Sequence, residues 1–370
     1  MKNTLPKSAP AAFTLTELLV VISLIVLLLA IAVPAFHSML YNNDRSLAEN
    51  QLKIAIATAR DQAIRSDGGD TAAVFLYQPG GKLRIVTCSA VGEIEDEPEL
   101  DPVTGLVLPQ LRDVFVAIPV VNVVDLPRGW AVRGYVPPQT QSAETGRWYG
   151  TGANGANPSP LLEQRYPLRD GCWVFPETGF YGSAPDNCRS SFMVRFEAGT
   201  GALVNSKPKS AIVVDLAPLN NRTGSLAATK LEQSADLVAS VRRLLDPGSG
   251  FSEVERLDAL GDRALDPLLV RPVSQLAILD ERKMVQQFSQ GSGQLNRATN
   301  SLYGDPANTT SIPTTPRIDT SLFGGATAVE VNAWVSQWIV GSYESRDGAV
   351  GEARIFNIDK ASGLAREVTQ

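Results

Sequence analysis

The feature that most constrains this chain is an apolar run from Leu18 to Phe36. It is about nineteen residues long and is interrupted only by Ser23 and Pro34. A run of that length crosses a bilayer as a single helix, which needs roughly 17–25 residues. A carboxylate, Glu17, stands at its mouth. A carboxylate at the bilayer centre costs roughly 2.5–3.5 kcal/mol, and less near the interface. A Glu in this place therefore calls for a partner. Lys2 and Lys7 precede the run and Asp44 follows it. The positive-inside rule then puts the first residues in the cytoplasm and the remainder outside.

The residues around Glu17 form a longer pattern. Ala12-Phe13-Thr14-Leu15-Thr16-Glu17-Leu18-Leu19-Val20-Val21-Ile22 resembles the processing site and first helix of type IV pilins and of the pseudopilins of type II secretion. The resemblance covers roughly the first 40 residues. It implies a leader over 1–12, cleavage by prepilin peptidase between Ala12 and Phe13, and N-methylation of Phe13. Glu17 is then the fifth mature residue and Pro34 the twenty-second, where many members carry a Pro. Ala12 departs from the usual Gly before the cut. The implied partners are prepilin peptidase, other pilin or pseudopilin subunits, an inner-membrane assembly platform and the lipid bilayer. The implied location is the bacterial inner membrane, with the leader cytoplasmic and the head periplasmic, and then the filament.

The chemistry of that pattern is simple. Cleavage creates an α-amine at Phe13, with a reference pKa of about 7.7–8.0, and methylation leaves it cationic. Glu17 of a neighbouring subunit would pair with it inside an apolar helix bundle. An unpaired buried charge is costly, so the pair would set the stagger between subunits. A plain signal anchor with a chance Glu is the simpler alternative. A sharper rival is secretory cleavage after Ala30-Ile31-Ala32, an A-x-A sequence that would release a chain starting at Val33.

At 370 residues, with 44% apolar and 19% charged side chains, the chain is globular and long enough for two or three domains. Its net charge of −6 grows two units more negative without Lys2 and Lys7. An acidic chain lacks the field that neutralises phosphates, so no nucleic-acid partner is expected. Cys172 and Cys188 bracket a loop rich in Gly and Pro. They are the disulfide candidate in an oxidising compartment, where loop closure is worth about 3 kcal/mol. Cys88 reads as a buried apolar thiol on a strand.

The expected fold is α+β and pilin-like: a long amino-terminal helix over 13–66, an antiparallel β head over 67–219, a helical insertion over 220–290, and a linker with carboxyl-terminal strands over 291–370. Past Pro34, Ala48, Leu52, Ile56, Ala59 and Ala63 recur at helical steps. Ser66-Asp67-Gly68-Gly69 reads as the stop, with a left-handed Gly cap. Ala59-Arg60-Asp61-Gln62-Ala63-Ile64 is similar to the helix end of H-type minor pseudopilins, and Phe175-Pro176-Glu177-Thr178-Gly179 faintly resembles part of their head. A hairpin over Val74–Tyr77 and Leu83–Val86 follows. Glu93, Glu95, Asp96, Glu97, Glu99 and Asp101 read as a solvated loop, with calcium binding the lesser alternative. Val114 to Val124, Trp130 to Tyr135, Cys172 to Phe175, Phe192 to Phe196 and Ile212 to Val214 read as strands. Leu226 to Leu245, Val254 to Leu260 and Ser274 to Phe288 read as helices. Val329 to Val340 and Arg354 to Ile358 read as strands, the tail closing the sheet begun near Val74.

Catalytic patterns are sparse. His37 is the only histidine, so a Ser-His-Asp triad in the head and a multi-His metal site are absent. Gly150 to Gly155 matches G-x-G-x-x-G, but Asn157-Pro158-Ser159-Pro160 cannot start the helix a dinucleotide fingerprint needs. Trp148 and Tyr149 read as packing anchors of a Gly-rich loop. No enzyme, cofactor or metal is expected. The leading expectation is a structural, minor filament subunit. A membrane-tethered exported binding module, with a pilin-like start used only for targeting, is the alternative from another class. A DNA-capture pilin is a third, disfavoured by the acidic balance.

Overall fold

The computed structural model describes residues 15–66, 68–78, 82–100, 107–118, 123–136, 172–174, 179–180, 190–204, 211–214, 241–242, 245–246, 248, 250, 252, 268–288, 317–318, 328–341 and 353–368. The architecture is α+β, in two units, Met1–Leu47 and Ala48–Gln370. Helix α1, Leu15–Arg65, passes through the boundary between them without a break. Its first half is exposed. From Ala48 onward one stripe is buried: Ala48, Leu52, Ala55, Ile56, Ala59 and Ala63. These positions follow the three- and four-residue steps that put side chains on one helix face. Leu52 and Ile56 each contribute about 1.5–3 kcal/mol by burial. The four alanines let the helix lie close to what it covers.

The helix stops at Ser66, but not through a left-handed Gly. Gly68 and Gly69 are not among the glycines with positive φ. Instead the Ser66 N–H donates to Ala63 O at 3.1 Å. Ser66 Oγ accepts from the Gly69 N–H at 3.3 Å and donates to Gly69 O at 2.8 Å. A hydroxyl does locally what backbone inversion was expected to do.

The strands follow as β1 (Thr71–Gln78), β2 (Lys82–Leu100), β3 (Val107–Ala117), β4 (Val124–Asp125), β5 (Trp130–Val136), β6 (Cys172–Val174), β7 (Gly179–Phe180), β8 (Ser190–Phe196), β9 (Ala211–Val214), β10 (Leu268–Pro272) and β11 (Gln275–Asp280). Then come α2 (Glu281–Phe288), β12 (Arg317–Ile318), α3 (Ala328–Ile339), β13 (Arg354–Ile358) and β14 (Ala365–Val368). The expected hairpin is β1–β2, paired from Thr71↔Ser89 to Gln78↔Lys82.

The first sheet runs β1-β8-β10-β9-β3-β2-β4, and β1 also pairs with β2. Six strands thus close on themselves as a barrel, with β4 added beside β2. The barrel is mixed: β8–β10 and β3–β9 are parallel, which corrects the expected antiparallel sheet. Alternate residues point inward and make one core, including Val74, Leu76, Val86, Phe115, Met193 and Val270. Cys88 lies in that core, 1% exposed, as the apolar-thiol reading expects.

The second sheet runs β14-β13-β11-β5-β6. One of its faces, with Ala131, Ala277, Leu279 and Ile355, packs under α2 and α3 against Met284, Val285, Val335, Trp338 and Ile339. The other face meets the outside of the barrel. There Phe192 lies on Gly134, where an added Cβ would sit 2.7 Å from the ring. Phe192 also stacks on Phe75 with centroids 4.6 Å apart.

Further expectations are corrected. The stretch Ser274–Phe288 is not one helix: Gln275–Asp280 is strand β11, and only Glu281–Phe288 is helical. The four residues Leu276 to Leu279 are all buried because β11 has covered faces on both sides, and such a run has no periodicity to separate strand from helix. Within the expected helical insertion 220–290, Leu268–Pro272 and Gln275–Asp280 are β10 and β11, interior strands of the two sheets; Val241, Arg242, Leu245 and α2 are its described α-helical residues. The segment read as a strand from Val329 is helix α3, and Val335, Trp338 and Ile339 are buried at helical steps. The residues from Glu93 to Leu100 belong to β2 rather than to a loop, and pair with β3. Finally, β13 and β14 sit in the second sheet and do not close the one begun at Val74. The expected strand Val114–Val124 is β3 and β4 with a break between them. Pro119, the Gly150–Gly155 loop and its aromatics, Val254 to Leu260, and 291–316 lie outside the described residues.

The Phe192–Gly134 contact gives a direct test. Gly134→Ala is expected to destabilise by about 1–3 kcal/mol, as overpacking does. Adding Phe192→Leu should return part of that loss. Denaturant unfolding of the detergent-solubilised chain measures both.

Candidate functional site

The first functional region is the helix itself. Every residue from Leu15 to Phe36 is exposed except the partly covered Ala32. Leu18, Val26 and Leu28 are 55%, 60% and 66% exposed. Such a surface is not stable in water, and this helix is long and apolar enough to cross a membrane. Ser23 donates its hydroxyl back to Val20 O at 2.8 Å, so this polar side chain is satisfied within the helix. Pro34 lies inside the helix; it has no N–H to offer the preceding turn. Glu17 is exposed in the first turn. A carboxylate there is favoured by the positive end of the helix dipole. Ala12 and Phe13 lie outside the described residues.

The second region is the mouth of the barrel. Arg195 on β8 points inward and is 2% exposed. Its Nε and Nη2 donate to Asp70 Oδ2 at 2.8 and 2.6 Å, and its Nη1 donates to Asp113 Oδ2 at 2.5 Å. Its guanidinium carbon lies 5.2 Å from the Phe115 ring centre, a cation–π contact at the bottom of the mouth. Asp70 Oδ1 also accepts from the Ala198 N–H at 3.2 Å. One guanidinium therefore ties the residue just after α1 to β8 and β3. Above it opens a cleft of ≈ 740 Å³, lined by Ser66, Gly68, Gly69, Asp70, Ser89 to Glu93, Asp113, Arg195 and Arg242.

The third region joins the helix end to the head. The Gly199 N–H donates to Ala63 O at 2.9 Å, and the Leu203 N–H to Lys360 O at 3.0 Å. Gly201 and Gly363 have φ of 66° and 63°; a Cβ at Gly363 would strike the Arg60 side chain, and one at Gly201 would strike Ile64 and lie 3.1 Å from Arg60 Cγ. Two turns from distant parts of the chain thus close over one arginine. Arg354 adds an ion pair to Glu49 at 3.0 Å, and Lys53 lies 5.4 Å over the Phe356 ring.

A fourth polar contact is structural. Arg133, fully buried, pairs through Nη2 with Glu281 Oε1 at 2.9 Å. It fixes the start of α2 on β5. Among the described residues no group of three or more His, Cys, Asp or Glu is placed to hold a metal. Cys172 starts β6, while Cys188 lies outside the described residues. The ion-paired Arg195, Asp70 and Asp113 were not anticipated from the sequence. The available signal was an arginine at the inward parity of Val194-Arg195-Phe196, a position where an apolar residue is the default.

No protein-family model, curated protein or solved structure matches the chain.

Two carboxylates titrate in opposite senses. Burial pushes Asp280 above its ordinary 3.8, against the N–H of Arg282 that it accepts. Its folded form holds its proton more tightly, so its contribution to stability falls as pH rises through and above 3.8. Hydrogen bonds from the Ser362 N–H and then its hydroxyl hold Asp359 below 3.8. Its stabilisation is present above 3.8 and is lost as pH falls through the lower folded value. A carboxyl-carbon NMR titration should place the two midpoints on opposite sides of 3.8.

Removing the guanidinium at the barrel mouth should be severe. Arg195→Met removes the guanidinium that Asp70 and Asp113 share and is expected to cost on the order of 3–5 kcal/mol. Adding Asp70→Asn and Asp113→Asn should recover most of it, since the loss comes from uncompensated charge. Equilibrium unfolding of the single and triple variants decides.

Proposed function

We propose that the chain is a structural, minor subunit of a type IV pilus or type II secretion pseudopilus. It is inserted in the bacterial inner membrane with its leader in the cytoplasm and its head outside. Prepilin peptidase cuts between Ala12 and Phe13, and Phe13 is N-methylated. The apolar half of α1 holds the subunit in lipid until it joins other subunits on the assembly platform. Glu17 then pairs with the amine at Phe13 of a neighbour.

The observation that carries this reading is the continuity of α1. One helix presents a bare apolar surface over Leu18–Phe36 with a carboxylate at its mouth, and runs on to a buried stripe from Ala48 to Ala63. A secretory cut before Val33 would divide this continuous helix and discard the half that carries Glu17. The resemblance over Ala12 to Ile22 gives the reading its family. The large head, a closed barrel with a second sheet, favours a minor or tip position, because bulk limits helical stacking. The tethered binding module keeps one point in its favour, the open cleft at the barrel mouth.

Two measurements test it. Mass spectrometry of the mature protein should find methylated Phe13 at the amino terminus; a chain beginning at Val33 would overturn the proposal. Glu17→Ala should leave cleavage intact and reduce incorporation into filaments by about tenfold or more, the effect expected for leaving a buried cation without its partner. Normal incorporation would favour the tethered module.

A further inference from the structure

We draw no further inference here: the strongest candidate, the cleft at the barrel mouth, carries nothing, because Arg195 and Arg242 line it beside Asp70, Glu93 and Asp113 and nothing in the structure shows what covers it.

Discussion

The structure depends on one constraint: a single helix carries two different surface patterns. Backbone groups inside a helix are bonded to one another, so a helix can pass from lipid to protein without exposing them. Side chains have no such freedom. Residues Leu18 to Phe36 are apolar all round, which suits a surrounding of hydrocarbon. From Ala48 the pattern narrows to one stripe, while Lys53 and Asp61 remain exposed, which suits a helix covered on one side only. The change from one pattern to the other falls within a continuous element, between Phe36 and Ala48.

That helix was legible because its signals are local: run length, three- and four-residue spacing, and a polar stop. Most strands were legible for the same reason, since Val74–Tyr77 and Leu83–Val86 are rich in β-branched and aromatic residues on either side of Pro79-Gly80-Gly81. What the sequence hid was non-local. Nothing in Ile212-Val213-Val214 says that it runs parallel to β3, and nothing in Leu268–Pro272 says that it lies between β8 and β9. Strand β11 was misread because both of its faces are covered. Helix α3 was misread because Val, Trp and Ile favour strands on average, while their spacing at 335, 338 and 339 is helical. Tertiary packing overrode propensity in both places.

The site was legible in the same uneven way. Glu17 and Pro34 stand out against an apolar background, and their meaning needs no partner from elsewhere in the chain. Arg195 is a cation in a strand, with nothing nearby in sequence to explain it. Its carboxylates come from just after α1 and from β3, 125 and 82 residues away. A buried guanidinium is tolerable only when such partners converge, and convergence is a property of the closed barrel.

Closure also changes what the helix is for. In a head made of one open sheet, the helix lying on that sheet completes the core. Here the inward residues of six strands make a core among themselves, and α1 contributes nothing to it. The stripe from Ala48 to Ala63 packs outside, where the turns at Gly199–Gly201 and Asp359–Gly363 close over Arg60 and the helix end. The barrel is therefore stable for reasons separate from those that attach it to the helix. Among the described residues the joint includes, beside that apolar stripe, Glu49 with Arg354, Lys53 over Phe356, Arg60 under Gly363, and the Ala63 carbonyl.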